Sequence, residues 1–120
     1  MAQPCPATTT AGTPVTIAAT ESATGVPVLH VAGEVDLSTI GCVREAITQL
    51  CHPRGLVLDL TAVTFFAVCG VDLLVEAAAR VPVRVVADSR AVLRVLAATR
   101  VDGQIPCETT LTDALACFSA

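Results

Sequence analysis

The chain has no lysine, no tryptophan and no tyrosine, and only three phenylalanines in 120 residues. Charge is sparse: 15% of residues are charged, all seven cations are arginines, and the net charge is −4. A surface of that sign repels a phosphate backbone, which argues against nucleic acid as a partner. No stretch approaches the ~20 consecutive apolar residues of a membrane span, so no membrane partner is expected. The first residues have neither the charged n-region nor the apolar core of a secretory signal, and a cytoplasmic location is expected. There is no Walker loop, no Gly-x-Gly-x-x-Gly and no Cys-x-x-Cys, and no Cys/His group has zinc spacing. No cofactor, no metal and no catalytic residue are therefore expected. The cysteines are Cys5, Cys42, Cys51, Cys69, Cys107 and Cys117. In a reducing compartment they are expected to be mostly thiols, behaving as small buried apolar groups.

What is present is a core. The chain is 53% hydrophobic, and a chain of this length buries roughly 65% of its unfolded surface as one domain. Residues 1–14 are rich in Thr, Ala and Pro without apolar periodicity and read as a mobile tail. The domain is expected over 15–120.

The organising stretch is 55–80. Gly55 to Leu60 is a nearly continuous apolar run, which reads as a strand buried on both faces. Asp59 breaks the run, which suggests that the strand emerges towards solvent there. Thr61 to Ala67 reads as a loop carrying Phe65 and Phe66. A helix then opens at Val68-Cys69-Gly70. Val71, Leu74, Val75 and Ala78 recur at helical spacing and predict its buried face. Asp72 is placed in the first turn, Arg80 is expected to pair with Glu76, and Gly70 would let another surface approach the backbone.

The remaining elements follow from period and punctuation. Val15–Thr20 and Val26–Ala32 read as strands, the first at an edge. His30 lies in the second and reads as a satisfied structural group. Gly33 to Asp36 turns the chain, with Asp36 or Ser38 capping a helix whose stripe is Ile40, Val43, Ile47 and Leu50. The adjacent Cys51 and His52 close that helix and do not face each other as nucleophile and base would. Val81–Ala87 is a strand. A helix from Asp88 or Ser89 to about Thr99 turns Leu93, Leu96 and Ala97 inward. Gly103–Cys107 is a last short strand. Thr110 to Asp113 resembles a capping box opening a final helix with Leu111, Ala114, Leu115 and Phe118 inward. The fold class is α/β: a mixed, mostly parallel sheet of about five strands flanked by about four helices.

Residues Asp59 to Val71 resemble the signature of STAS domains, specifically the bacterial anti-sigma factor antagonists. That signature runs Asp-Leu-Ser, three residues, Phe, an apolar residue, then Asp-Ser-Ser/Thr-Gly-Leu. Gly33-Glu34-Val35-Asp36 is similar to the family's Gly-Glu-Leu-Asp. A looser match covers Val92-Leu93, Val101-Asp102, Pro106 and Leu111 to Leu115. The resemblance runs from about Val15 to Phe118 and implies a STAS-like fold. It also implies a function: binding an anti-sigma factor with a kinase-like ATPase fold and so releasing a sigma factor for transcription.

By the same resemblance the contact is formed by Asp36, Ser38, Thr39, Thr61, Ala67, Val68, Cys69 and Gly70. The departure falls inside it. The family's phosphorylated serine is Val68 here, the preceding aspartate is Ala67, and the second hydroxyl residue is Cys69. The usual phosphate switch is therefore expected to be absent, with Ser38, Thr61 and Thr64 as the nearby hydroxyls. Cys69 opens a helix, where the dipole favours thiolate, and Cys107 sits near the same edge of a parallel sheet. The two are candidates for a redox pair. Other readings are a STAS scaffold domain in a signalling assembly, a homodimer, and an enzyme using Cys69 as nucleophile.

Overall fold

The computed structural model describes residues 15–50 and 52–118. The tail at 1–14, with Cys5, and residue Cys51 lie outside the described residues. Strand β1 (Thr16–Glu21) leads to β2 (Pro27–Val35) and helix α1 (Ile40–Leu50). Strand β3 (Leu56–Phe66), helix α2 (Val68–Ala78), β4 (Val83–Val86) and α3 (Arg90–Ala98) follow. A 3₁₀ turn (Val101–Gly103), β5 (Cys107–Glu108) and α4 (Leu111–Ala116) complete the order. The five strands lie side by side in sequence order; β1 pairs antiparallel with β2, and every other pairing is parallel. The expected α/β architecture, with one antiparallel edge strand, is what the chain adopts.

The sheet has two unequal faces. On one, Leu29, Val31, Leu56, Leu58, Val83 and Val85 are buried beneath α1, α2 and α3. On the other, Val26, Val28, Val57 and Val86 pack under Ala114 of α4, with Leu111, Leu115 and Phe118 closing the rim. Thr110 caps α4 by accepting a hydrogen bond from the Asp113 N–H at 3.2 Å, as the capping-box pattern predicts. The second apolar face ends where Val28 and Val57 give way to His30 and Asp59. Beyond that line α4 no longer covers the sheet.

The main departure from the sequence reading is β3. It does not end near Asp59; it continues through the expected loop to Phe66. Against β2, one extra β3 residue is accommodated between His30 and Ala32, and another between Gly33 and Glu34. Each bulge shifts the side-chain alternation by one residue. Leu60, Val63 and Phe66 therefore point inward at intervals of three, while Thr61, Ala62, Thr64 and Phe65 are exposed. A period of two is lost, so the segment reads as irregular. Gly33 to Val35 likewise belongs to β2 rather than to a turn.

The helices also rotate from their expected faces. α2 buries Gly70, Val71, Leu73, Leu74 and Ala77, leaving Val75 and Ala78 exposed. Asp72 falls after the first turn. Glu76 pairs across to Arg44 of α1 at 3.3 Å, not to Arg80, and at such exposure the pair contributes little. In α3, Val92 and Leu96 are buried while Leu93 and Ala97 face outward. Ser89 is the residue at its cap. The last strand begins at Cys107, because residues 101–103 wind into the 3₁₀ turn.

Gly70 is filled from within. A Cβ there would stand 2.6 Å from the Phe66 ring, so the bare backbone accommodates the protein's own core and is closed to an outside surface. Gly41, in α1, has nothing within 4 Å of a Cβ position. Gly70→Ala should therefore destabilise by about 1–3 kcal/mol through overpacking. Gly41→Ala should stabilise by about 0.5–1 kcal/mol, because alanine restricts the unfolded chain and suits a helix. Urea denaturation of the two variants checks the opposite signs.

Candidate functional site

The parallel register pairs Val35 with Phe66, the last residues of β2 and β3. Both strands therefore leave the sheet at the same level, and the chain turns into a helix from each. A hydrogen bond from the Ala67 N–H to the Val35 carbonyl, 2.9 Å, ties the two exits together. This brings Asp36, Ser38 and Thr39 beside Ala67, Val68, Cys69 and Gly70, as expected. Thr61 is not among them. It sits near the level of Val31, four residues of β2 below Val35, or roughly 13 Å down the sheet.

The first turn is held by its own side chains. Asp36 Oδ1 accepts from the Ser38 N–H at 2.9 Å and the Ser38 hydroxyl at 2.6 Å. The Ser38 hydroxyl, then backbone donors and Thr39, outweigh partial burial and hold the Asp36 carboxyl below its usual value. Thr39 is 1% exposed; its hydroxyl donates to the Glu34 carbonyl at 2.8 Å and accepts from the Asp36 N–H at 3.0 Å. Although α1 proper starts at Ile40, Asp36 makes the bonds of a cap: its carboxylate accepts the Ser38 N–H and its carbonyl accepts the Ile40 N–H at 2.8 Å. Between these tethered residues Leu37 projects into solvent, 83% exposed.

The second turn is apolar. Val68 is 61% exposed, and Phe65 on the adjoining strand 50%. Ala67 occupies the N-cap of α2 and offers no side-chain acceptor. From Phe65 and Val68 a groove of about 510 Å³ runs along α3, past Ala91, Arg94, Val95 and Ala98. Leu37 and Phe65 were not singled out as contact residues by the sequence. Leu37 stands in a polar turn outside any stripe, which is the one signal that could have found it. Phe65 falls on the outer face that alternation from Asp59 gives, and reading 61–67 as a loop hid it.

Cys69 corrects two expectations. Burial, then the charges of Asp36 and Asp72, push its thiol up despite nearby N–H groups, so the helix start does not make a thiolate. Cys69 and Cys107 are both free. Cys107 lies level with Val85 and hence with Leu58, whose β2 partner is Leu29. From Leu29 to Val35 is six residues, roughly 20 Å up the sheet. A disulfide needs Cα atoms within about 7 Å, so this pair cannot form without unfolding the edge. Among the described cysteines, Cys42 departs from the expectation of thiols: it is disulfide-bonded. His52 Nδ1 accepts from the Arg54 N–H at 3.1 Å and is a local turn contact. Among the described residues no His, Cys, Asp and Glu group is arranged to hold a metal ion.

A second polar constellation lies on the uncovered sheet face. Asp59 Oδ2 pairs with His30 Nδ1 at 2.8 Å, and His30 Nε2 meets the Thr20 hydroxyl at 3.0 Å. Thr61 donates to Asp59 Oδ1 through its hydroxyl at 2.7 Å and its N–H at 3.1 Å. His30 is thus satisfied on both nitrogens, as its place within a strand suggests.

A family model, the STAS domain, matches residues 18–114. The anti-sigma-F factor antagonist RsfB of Mycobacterium tuberculosis, in strains CDC 1551 / Oshkosh and ATCC 25618 / H37Rv, is 42% identical over 52 residues. That match takes in 42% of this chain and spans 43% of the relative's length. A crystal structure of an anti-sigma factor antagonist from Mycobacterium paratuberculosis superposes with a TM-score of 0.82 at 31% identity. It covers 87% of this chain and 93% of that one.

Burial pushes the Asp59 carboxyl up, but the hydrogen bonds from Thr61 and His30 prevail and hold it below its usual 3.8. A carboxyl lowered on folding adds stability that is present above its unfolded value and lost as pH falls through the folded one. Stability should therefore drop as pH falls below about 3.8. Thr61→Val removes one of the donors and should flatten that drop. Urea midpoints measured from pH 6 to pH 2 would show it; equal slopes in the two proteins would count against the assignment.

Proposed function

The chain belongs to the STAS domain family, and from that premise we propose that it is an anti-sigma factor antagonist acting in the cytoplasm. It binds an anti-sigma factor with a kinase-like ATPase fold and so frees a sigma factor. The observation that carries this reading is the edge where β2 and β3 end together. There Leu37 and Val68, two large apolar side chains, stand exposed on turns that are hydrogen-bonded beneath them. Apolar groups presented on a rigid base lose little freedom on contact, which is how interface anchors gain affinity. The role named for the M. tuberculosis and M. paratuberculosis relatives supports a regulatory protein partner.

The mode of control differs from a phosphate switch. Phosphorylation would set about two negative charges at this contact, where repulsion and desolvation oppose binding. Val68 and Cys69 offer no hydroxyl to receive them. Asp36 already places one carboxylate beside Cys69. Binding is therefore constitutive and set by the abundance of the two proteins.

The test is titration calorimetry with a purified ATPase-fold anti-sigma factor, followed by a transcription assay for released sigma factor. Val68→Glu should weaken binding by about 2 kcal/mol or more, because it buries an unpaired charge. Its folding should be unaffected, since Val68 is largely exposed. Leu37→Ala should cost about 1 kcal/mol or more. Unchanged affinity in both folded variants would move the interface elsewhere. Binding only to other STAS proteins would favour a scaffold role. Incubation with the kinase-fold partner and ATP should leave the 67–70 turn unmodified by mass spectrometry. Stoichiometric phosphate on Ser38, Thr61 or Thr64 would overturn constitutive control.

A further inference from the structure

The uncovered face of the sheet carries a row of four side chains set by strand register. Ala18 of β1 lies opposite His30 of β2, so Thr20 is the diagonal neighbour of His30 on the same face. His30 lies opposite Asp59 of β3, and Thr61 follows two residues on. Asp59 is anchored on one oxygen by Thr61, leaving its other oxygen for His30 Nδ1. A carboxylate accepts only, so Nδ1 carries a proton, and in the neutral imidazole Nε2 is left as the acceptor for the Thr20 hydroxyl. Hydroxyl, imidazole and carboxylate are then linked in the order that activates a nucleophile, with the base oriented by a third group. None of these contacts serves the β2–β3 edge, and Thr20 is exposed.

We propose that Thr20 is a reactive hydroxyl that accepts an acyl group from small, neutral, activated esters or thioesters. Thr20 Oγ1 attacks the acyl carbonyl and its proton passes to His30 Nε2. The bond to the leaving group breaks, and the leaving group departs with the bonding pair as a phenolate or thiolate. The imidazolium returns its proton to that anion or to water, leaving a threonine ester. The donor class follows from the surroundings. A shallow recess of about 200 Å³ adjoins the row at His30, Asp59 and Thr61 and is bordered by the small side chains of Thr16, Ala18, Ala32 and Ala62. Thr20 stands outside it, so the recess would hold a short acyl group that reaches Thr20 past His30. Asp59 is the charged residue lining it, with no arginine, so an anionic donor such as an acyl phosphate is disfavoured.

The experiment is incubation of the whole protein with p-nitrophenyl acetate, with phenolate release followed by absorbance and the acetyl group located by peptide mass spectrometry. Thr16 is a stringent internal control: it is exposed on the same strand face and itself lines the recess, but lies opposite Ala32 rather than a histidine. Acetylation of Thr20 should outpace that of Thr16 by about 100-fold, the lower end of general-base assistance. Thr20→Ser should keep the reaction, whereas His30→Ala and Asp59→Asn should bring residue 20 down towards the Thr16 rate. Equal rates at Thr20 and Thr16 in the unaltered protein would overturn the proposal without recourse to any variant. So would an unchanged Thr20 rate in a folded His30→Ala protein.

Discussion

The parallel pairing of β2 with β3 is the constraint that fixes the rest. It joins the two longest strands, and its register sets His30 opposite Asp59 and Val35 opposite Phe66. Its two bulges lie in the upper half of β3. Without them Thr64 rather than Phe66 would lie level with Val35, and the Phe66 ring that meets Gly70 would sit two residues further along. With them, the strand ends level with Val35 and delivers two turns to one edge. A bulge stores its extra residue by bending and twisting the strand, and that is how a sheet re-aims a terminus without changing its length.

At that edge, hydrogen bonding and exposure are divided between backbone and side chain. The polar groups of the Asp36 to Thr39 turn are largely spent on each other, leaving Leu37 as the side chain that reaches outward. The α2 turn has no polar side chain at its first positions. An edge so made presents apolar side chains on a prearranged frame, with the charges of Asp36 and Asp72 near Cys69 and Arg94 along the groove.

The uncovered face obeys a different economy. α4 protects the lower half of the outer sheet surface, where Val28 and Val57 need cover. Above it the same face carries Thr20, His30, Asp59 and Thr61, which satisfy one another across three strands. Asp59 is only 15% exposed, and its acceptors are occupied by three donors from Thr61 and His30. A carboxylate so placed would otherwise cost stability. The polar row thus lets a short C-terminal helix suffice to close the fold.

Sequence alone determined the element order, the buried central strand, the α1 stripe and the α4 cap. These follow from local periodicity, punctuation and residue type, which act over a few residues. It also placed the family signature, because the motifs are contiguous. What it did not determine was anything resting on register between distant segments. The extent of β3 was hidden because two bulges erase a period of two, and a bulge exists only relative to a partner strand. The faces of α2 and α3 were misplaced by a fraction of a turn, since several apolar stripes were available and sheet packing chose among them. Cys69 and Cys107 looked close by strand end but are set apart by the short β5, whose pairing level no local pattern records. His30 and Asp59 are twenty-nine residues apart and meet because the parallel register sets them opposite each other. Tertiary structure alone decided that contact, because pairing is a property of two strands and neither carries it by itself.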